Sequence, residues 1–216
     1  MKTVFANIFS IETDDPLKFD LESLEVKAIT EFKEYQGVNV SIIAFLERTR
    51  IPVSIDIGFG DVIYPDRVLM DFPVLLSEDA PEVYAYSLYS SIAEKFEAMV
   101  SLGYDNSRFK DFYDIYVNAQ KYDFDGQTLV AAIKETFNHR GTSLHTIVAF
   151  DTDYSNDAIR LSRWKSFVKK KKVSLDISLS DTIETIKKFL LPVIGAIEEG
   201  ISFDAKWDSK EMQWMQ

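Results

Sequence analysis

The chain reads as α+β, with a mixed or antiparallel sheet followed by a helical C-terminal bundle. Three observations predict it. Up to about residue 60, apolar residues tend to alternate with polar ones, the period of a half-buried strand. From Ser87 onward they recur every three or four positions, the period of a packed helix. The 216 residues include 16 Phe and 10 Tyr within a 46% apolar composition, enough bulk for a buried core and too much for a disordered chain. Strands first and helices afterwards is an α+β order. The expected organisation is a β-rich part over 1–84, a helical part over 85–200 and a tail over 201–216.

Residues 3–11 are expected as a strand, and Asp14-Asp15-Pro16 as a turn, because proline fixes its own backbone angle and pushes its neighbour out of helix. Two further strands are expected over 25–33 and 38–47, with Tyr35-Gln36-Gly37 as the hairpin link. In the second of these both faces are partly apolar, as in a strand covered on each side. Residues 51–57 follow as a strand with Val53, Ile55 and Ile57 on one face. Ser54, Asp56 and Gly58 then share the other, so Asp56 projects opposite the apolar row.

Ser87 is a natural cap for a helix over 88–101 with the stripe Leu88, Ile92, Phe96 and Met99. Lys95 sits at the edge of that stripe, where its stem packs and its ammonium reaches a cleft. Gly103-Tyr104-Asp105-Asn106 ends this helix and starts the next, over 107–120. Its packing side is Phe109, Phe112, Ile115 and Tyr116. Lys110, Asp111 and Asp114 share its flank, with Arg108 near its first turn. Helices are also expected over 126–138, 157–170 and 179–194, the last disturbed in its final turn by Pro192. A polar hinge, Asp176 to Ser180, precedes it.

Composition excludes several chemistries. With no cysteine there is no disulfide, thiol nucleophile or thiolate metal site, and with only two histidines there is no multi-histidine centre. Any metal is expected to be a hard cation on carboxylate oxygens, magnesium beside phosphates. No apolar run reaches the roughly 20 residues of a membrane span, and the first residues lack a secretory h-region, so no membrane partner is expected and a cytoplasmic location is. The net charge of −11 is not that of a general nucleic-acid binder. The charge is uneven, however. Residues 155–172 carry Arg160, Arg163, Lys165 and Lys169 to Lys172 against Asp157 alone. Such a patch meets RNA or a triphosphate, or is simply a solvated helix end.

Arg108, Lys110, Asp111 and Asp114, spaced R-x-K-D-x-x-D, are the most informative cluster. With the strand acid Asp56 and the helix lysine Lys95 they suit a metal–nucleotide site. Nucleotidyl transfer needs a carboxylate for magnesium or for the attacking hydroxyl, which Asp56 could supply. It needs cations on phosphate oxygens, for which Lys95, Lys110 and Arg108 are candidates. It also needs groups that orient these, for which Asp111 and Asp114 are candidates. Taken alone, the same spacings describe surface ion pairs worth about 0.3–0.5 kcal/mol each.

The order of the motifs discriminates further. Ile55-Asp56-Ile57-Gly58-Phe59-Gly60-Asp61, a loop from Pro65 to Pro73, Tyr86 to Lys95, and Asn106 to Asp114 follow one another. Together they resemble the nucleotidyltransferases of the AbiEii/AbiGii toxin family. Asp14 to Asp20, Glu34 to Val38, Trp164-x-x-Phe167 and Phe189-Leu190-Leu191-Pro192 extend the likeness over about residues 15–195. The resemblance implies a nucleotidyltransferase-like sheet joined to a helical bundle. It also implies the toxin component of a toxin–antitoxin or abortive-infection system, with a cognate antitoxin encoded nearby. It implies NTP as substrate, Mg2+ as cofactor and, as acceptor, tRNA or another RNA. By motif, Asp56, Lys95, Asp111 and Asp114 carry the catalytic roles, Asp56 the metal, and Lys95, Arg108 and Lys110 the nucleotide.

One departure shapes the alternative. The family opens with a Gly-Gly or Gly-Ser turn and an Asp-x-Asp strand, whereas no glycine here precedes Gly37. The expectation is a member that starts after its first motif. The alternative function is then a catalytically inactive homologue that binds nucleotide or RNA, or that is complemented by a separate N-terminal segment.

Overall fold

The computed structural model describes residues 1–29, 37–75, 79–171 and 177–216. They are α+β and divide into two compact units, 1–61 and 62–216. Among the described residues no helix is long and apolar enough to cross a membrane.

The first unit is helix α1 (Lys2–Phe9) and an antiparallel sheet in the order β1 (Leu17–Ile29), β2 (Gly37–Leu46), β3 (Thr49–Gly58). Its small core is Leu24, Val40 and Ile42, with Phe5 and Phe9 of α1 packed against them. The expected strand over 3–11 is therefore corrected to a helix. A short apolar run fits both periods, and here the four-residue spacing of Phe5 and Phe9 wins. Both rings turn to the same side, 6.0 Å apart between centroids, and Phe9 lies 4.8 Å from Phe19 of β1. β1 also begins well before residue 25. Its pairing with β2 shifts register between Asp20 and Glu25, where the Ser23 hydroxyl accepts from the Ile43 amide (2.9 Å). Tyr35 and Gln36 of the expected link, and the end of the expected strand over 25–33, lie outside the described residues.

The β2–β3 register sets the two faces. Val40 faces Ile55 and Ile42 faces Val53 on the side covered by α1, while Asn39 faces Asp56 and Ser41 faces Ser54 on the other. Asp56 thus stands on a polar sheet face, as alternation requires.

The second unit opens with a hairpin, β4 (Val68–Asp71) and β5 (Glu82–Ala85). It continues with α2 (Leu88–Leu102), α3 (Phe109–Lys121), β6 (Phe124–Asp125), α4 (Gly126–Arg140), α5 (Thr152–Asn156), α6 (Ala158–Lys171) and α7 (Leu179–Glu199). Short strands β7 (Lys206–Asp208) and β8 (Gln213–Met215) close a sheet in the order β6-β7-β8. Caps define the helices. The side chains of Ser87, Asp125 and Ser178 accept from the amides of Ser90, Thr128 and Asp181. Gly141 and Gly200 end α4 and α7 in the left-handed conformation that glycine adopts without steric cost. α7 runs seven residues beyond Pro192, further than the expected end near 194. An interior proline costs about 3 kcal/mol. Val193, Ile194 and Ala196 are buried on the far side of it, and that burial offsets the cost. Ser178 of the expected hinge is the α7 cap, and Asp176 lies outside the described residues.

The core gathers Phe96 from α2, Phe112 from α3, Leu129 and Ile133 from α4, Phe189 from α7 and Trp207 from β7. Trp207 is fully buried, and its indole N–H donates to the Ala119 carbonyl at the end of α3 (2.7 Å). The Trp214 indole donates to the Phe189 carbonyl (2.9 Å) and its ring stacks on Phe189. Gly126 is needed beneath this cover, since a Cβ there would meet the Phe203 ring and carbonyl at 2.6 Å.

Two outcomes are expected. Trp207→Ala should cost about 3–5 kcal/mol, read as a lower urea midpoint. A loss under about 1 kcal/mol would contradict the central place of that ring. The Asp125 carboxyl is held below the ordinary carboxylate range by the Thr128 hydroxyl and then by the Thr128 amide. Its stabilisation is therefore fully present above the unfolded pKa of about 3.9 and lost as pH falls through the lower folded value. Asp125→Ala should remove about 1 kcal/mol at neutral pH and progressively less as the solution is acidified. Equal losses at pH 7 and pH 2 in thermal melts would refute this.

Candidate functional site

Helix α2 is anchored at its start. The Ser90 hydroxyl accepts from the Tyr64 amide (2.9 Å) and donates to the Tyr64 carbonyl (2.8 Å), while Ser87 donates to that carbonyl at 3.2 Å. With Ile92, Phe96 and Met99 buried in the core, α2 has a fixed rotation, and Lys95 emerges at the edge of the buried face. Its side chain is 20% exposed.

Helix α3 is the facing wall. Asn106 sits buried in the turn before it, its side-chain carbonyl accepting from the Arg108 amide (2.7 Å) and its amide reaching the Ala98 carbonyl of α2 (3.5 Å). That turn aims Arg108 along the first turn of α3. Asp111 points into the protein with only 4% of its side chain exposed, and Asp114 is one turn further on, at the rim.

The result is a chain of alternating charge. Arg108 Nε is 2.7 Å from Asp111 Oδ2, and Lys95 Nζ is 3.7 Å from Asp111 Oδ1. Lys95 Nζ also lies 2.8 Å from Asp114 Oδ2, and Lys110 Nζ closes the row 3.9 Å from the same oxygen. Arg108 and Asp111 meet as an ion pair without hydrogen-bond alignment, since no hydrogen bond reaches the buried Oδ2. Three cations against two carboxylates leave the row one positive charge in excess. Arg108 and Lys110, the outer members, are 59% and 64% exposed. The spare donors therefore face solvent, where a phosphate can take them.

Two more features adjoin α2. On another flank, Glu94 and Glu97 pair with Arg140 from the end of α4, and the Thr142 hydroxyl donates to Glu97 (2.5 Å). Burial lowers the Arg140 guanidinium pKa from its usual value. This second ionic group was not foreseen. Its one sequence signal is Glu94 beside Lys95, which does not reveal that Arg140, far along the chain, is its partner. The other is a cleft of about 560 Å³ just before α2, lined by Ile63, Arg67, Tyr84, Ala85 and Tyr86. The Arg67 guanidinium lies 3.9 Å over the Tyr84 ring.

Asp56 belongs to the first unit. Its Oδ1 accepts from the Asn39 side-chain amide (2.6 Å), which also reaches Ser54 Oγ (2.8 Å). Asp61 Oδ2 folds back to within 3.3 Å of where a Cβ of Gly58 would lie, on the same polar face. Among the described residues no three carboxylates or imidazoles converge as a metal cluster. The donor set on this face is thus the Asp56 carboxylate with the Asn39 amide beside it and the Asp61 carboxylate near Gly58. That suits magnesium carried in on phosphates, which needs one or two protein carboxylates, and does not make an all-protein cage.

Removing one member of the row leaves another unpaired. Lys95→Met should destabilise the fold by about 1–3 kcal/mol, and the Lys95→Met/Asp111→Asn pair by less than the sum of the singles. Strict additivity in a double-mutant cycle would mean that the two do not interact.

The family model described as the nucleotidyl transferase AbiEii toxin of type IV toxin–antitoxin systems matches residues 1–184. No curated protein matches the chain. The matched span takes in Asp56 and the whole charged row between α2 and α3. The chain therefore belongs to the AbiEii nucleotidyl transferase toxin family.

Proposed function

We propose that this toxin-family nucleotidyltransferase moves a nucleotidyl group from a magnesium–NTP complex to a hydroxyl of an RNA acceptor such as tRNA. The observation that carries the reading is the row Arg108–Asp111–Lys95–Asp114–Lys110, with its positive excess at the exposed ends. Lys95 and Lys110 are assigned to the triphosphate, and Arg108 to its outer oxygens. Lys95 and Arg108 are already held by carboxylates close to where they would act, so little reorganisation is needed for them to balance charge developing on phosphate. Buried Asp111 is a positioning residue that fixes Lys95 and Arg108. Asp114, at the rim between two lysines, is assigned to the acceptor or to releasing Lys95 toward phosphate. Asp56 is the carboxylate for magnesium or for the proton of the attacking hydroxyl. Bound magnesium would supply charge neutralisation at the phosphates. In the reaction the acceptor oxygen bonds to the α-phosphorus, the α–β bridge breaks, and pyrophosphate leaves. The toxin–antitoxin setting of the family implies a cognate antitoxin as partner.

The test is transfer of label from each α-32P NTP to unfractionated tRNA with Mg2+ present. Labelled RNA is expected, reduced about 100-fold or more in Lys95→Ala and partly restored in Lys95→Arg. Absence of label on any RNA with all four nucleotides, from folded protein, would overturn the reading and leave nucleotide binding as the function to measure.

A further inference from the structure

Helix α6 carries Arg160, Arg163, Lys165, Lys169, Lys170 and Lys171 and no acid, on a chain whose net charge is −11. Its basic residues are used in different ways. Arg160 turns inward, pairing with Asp157 (3.4 Å) and lying 4.3 Å over the Tyr154 ring. Lys171 lies 5.9 Å from the Phe167 ring. Arg163, Lys165, Lys169 and Lys170 are exposed, and among the described residues none of them meets a carboxylate. At 100° per residue, Arg163 and Lys170 form one ridge, Lys165 and Lys169 a second, and the exposed Ser162 and Ser166 lie between them. The opposite face is fixed. Trp164 is buried, edge-on to Phe109 of α3 at 5.9 Å, and Phe167 meets Tyr113 of α3 at 5.9 Å. The helix that holds Lys110, Asp111 and Asp114 is thus the one on which α6 rests, with the two basic ridges turned away from it.

Four exposed cations on one helix face, unpaired among the described residues, make a local positive potential on an acidic protein. Two ridges flanking a trough of small hydroxyls fit a polyanion with regularly spaced charges. We infer that the outward face of α6 is the docking surface for the phosphodiester backbone of the RNA acceptor, positioning it beside the α2–α3 site. This rests on the nucleotidyl-transfer reading for the identity of the polyanion. Backbone contacts of this kind hold and orient RNA without reading its sequence.

The test measures binding alone. Fluorescein-labelled unfractionated tRNA is titrated with wild-type protein and with Arg163→Gln/Lys165→Gln/Lys169→Gln/Lys170→Gln, at 50 to 200 mM salt. Lys134→Gln, an exposed lysine on α4, controls for general charge. The quadruple variant should keep the wild-type melting profile and lose tRNA affinity at least tenfold at 100 mM salt. Its slope of log affinity against log salt should be shallower by about 3, four phosphate contacts at roughly 0.7–0.9 each. Lys134→Gln should stay within twofold of wild type. Affinity unchanged in the quadruple variant, no wild-type binding to tRNA, or wild-type binding to anionic phosphatidylserine vesicles but not to tRNA would each overturn the proposal. A wild-type chain that binds tRNA through α6 yet transfers no label overturns the activity and leaves this surface standing.

Discussion

Burial of the Asp111 carboxylate constrains the site more than any other single feature. A carboxylate removed from water must be paired or give up its charge. Its partners come from different places: Lys95 from the preceding helix and Arg108 from the turn that starts its own. Meeting both conditions fixes the register between α2 and α3. It also requires the Asn106 turn, because Arg108 reaches Asp111 only if the chain enters α3 at that angle. The positions of Asp114 and Lys110 follow, since they lie on the same flank of a helix whose rotation is already decided.

The same helix, α2, is held from another side by Arg140 and Thr142. Its apolar stripe lies between these two charged contacts, so α2 has little freedom to rotate or slide. Preorganisation of this kind lets an exposed cation act on a phosphate without first being ordered. The stiffness comes from the ordinary core residues Ile92, Phe96 and Met99 as much as from the ion pairs.

Helical spacing made much of this legible. The expected helices over 88–101, 107–120, 126–138 and 157–170 lie within a few residues of α2, α3, α4 and α6, because caps and apolar stripes agree there. Alternation likewise placed Asp56 opposite Val53 and Ile57. The N-terminal run was misread because eight residues of mostly apolar sequence satisfy either period until Phe19 offers a surface to pack on. The small sheet of β6, β7 and β8 was invisible because its strands are two or three residues long and its pairing is between distant segments. Within the site, the flank of Lys110, Asp111 and Asp114 could be read from spacing. Which carboxylate is buried, and that Lys95 bridges both, could not, since those depend on how two helices face each other. Arg140 was missed for the same reason.

The indole of Trp207 ties its strand to the Ala119 carbonyl across 88 residues of chain. Contacts of such separation carry a larger loop-closure entropy than contacts between neighbouring segments. α2, α3 and α4 follow one another closely in the chain, whereas the space among them that Trp207 fills is closed only by β7. The core beneath the charged row is therefore completed by a strand that lies outside the row's own stretch of sequence.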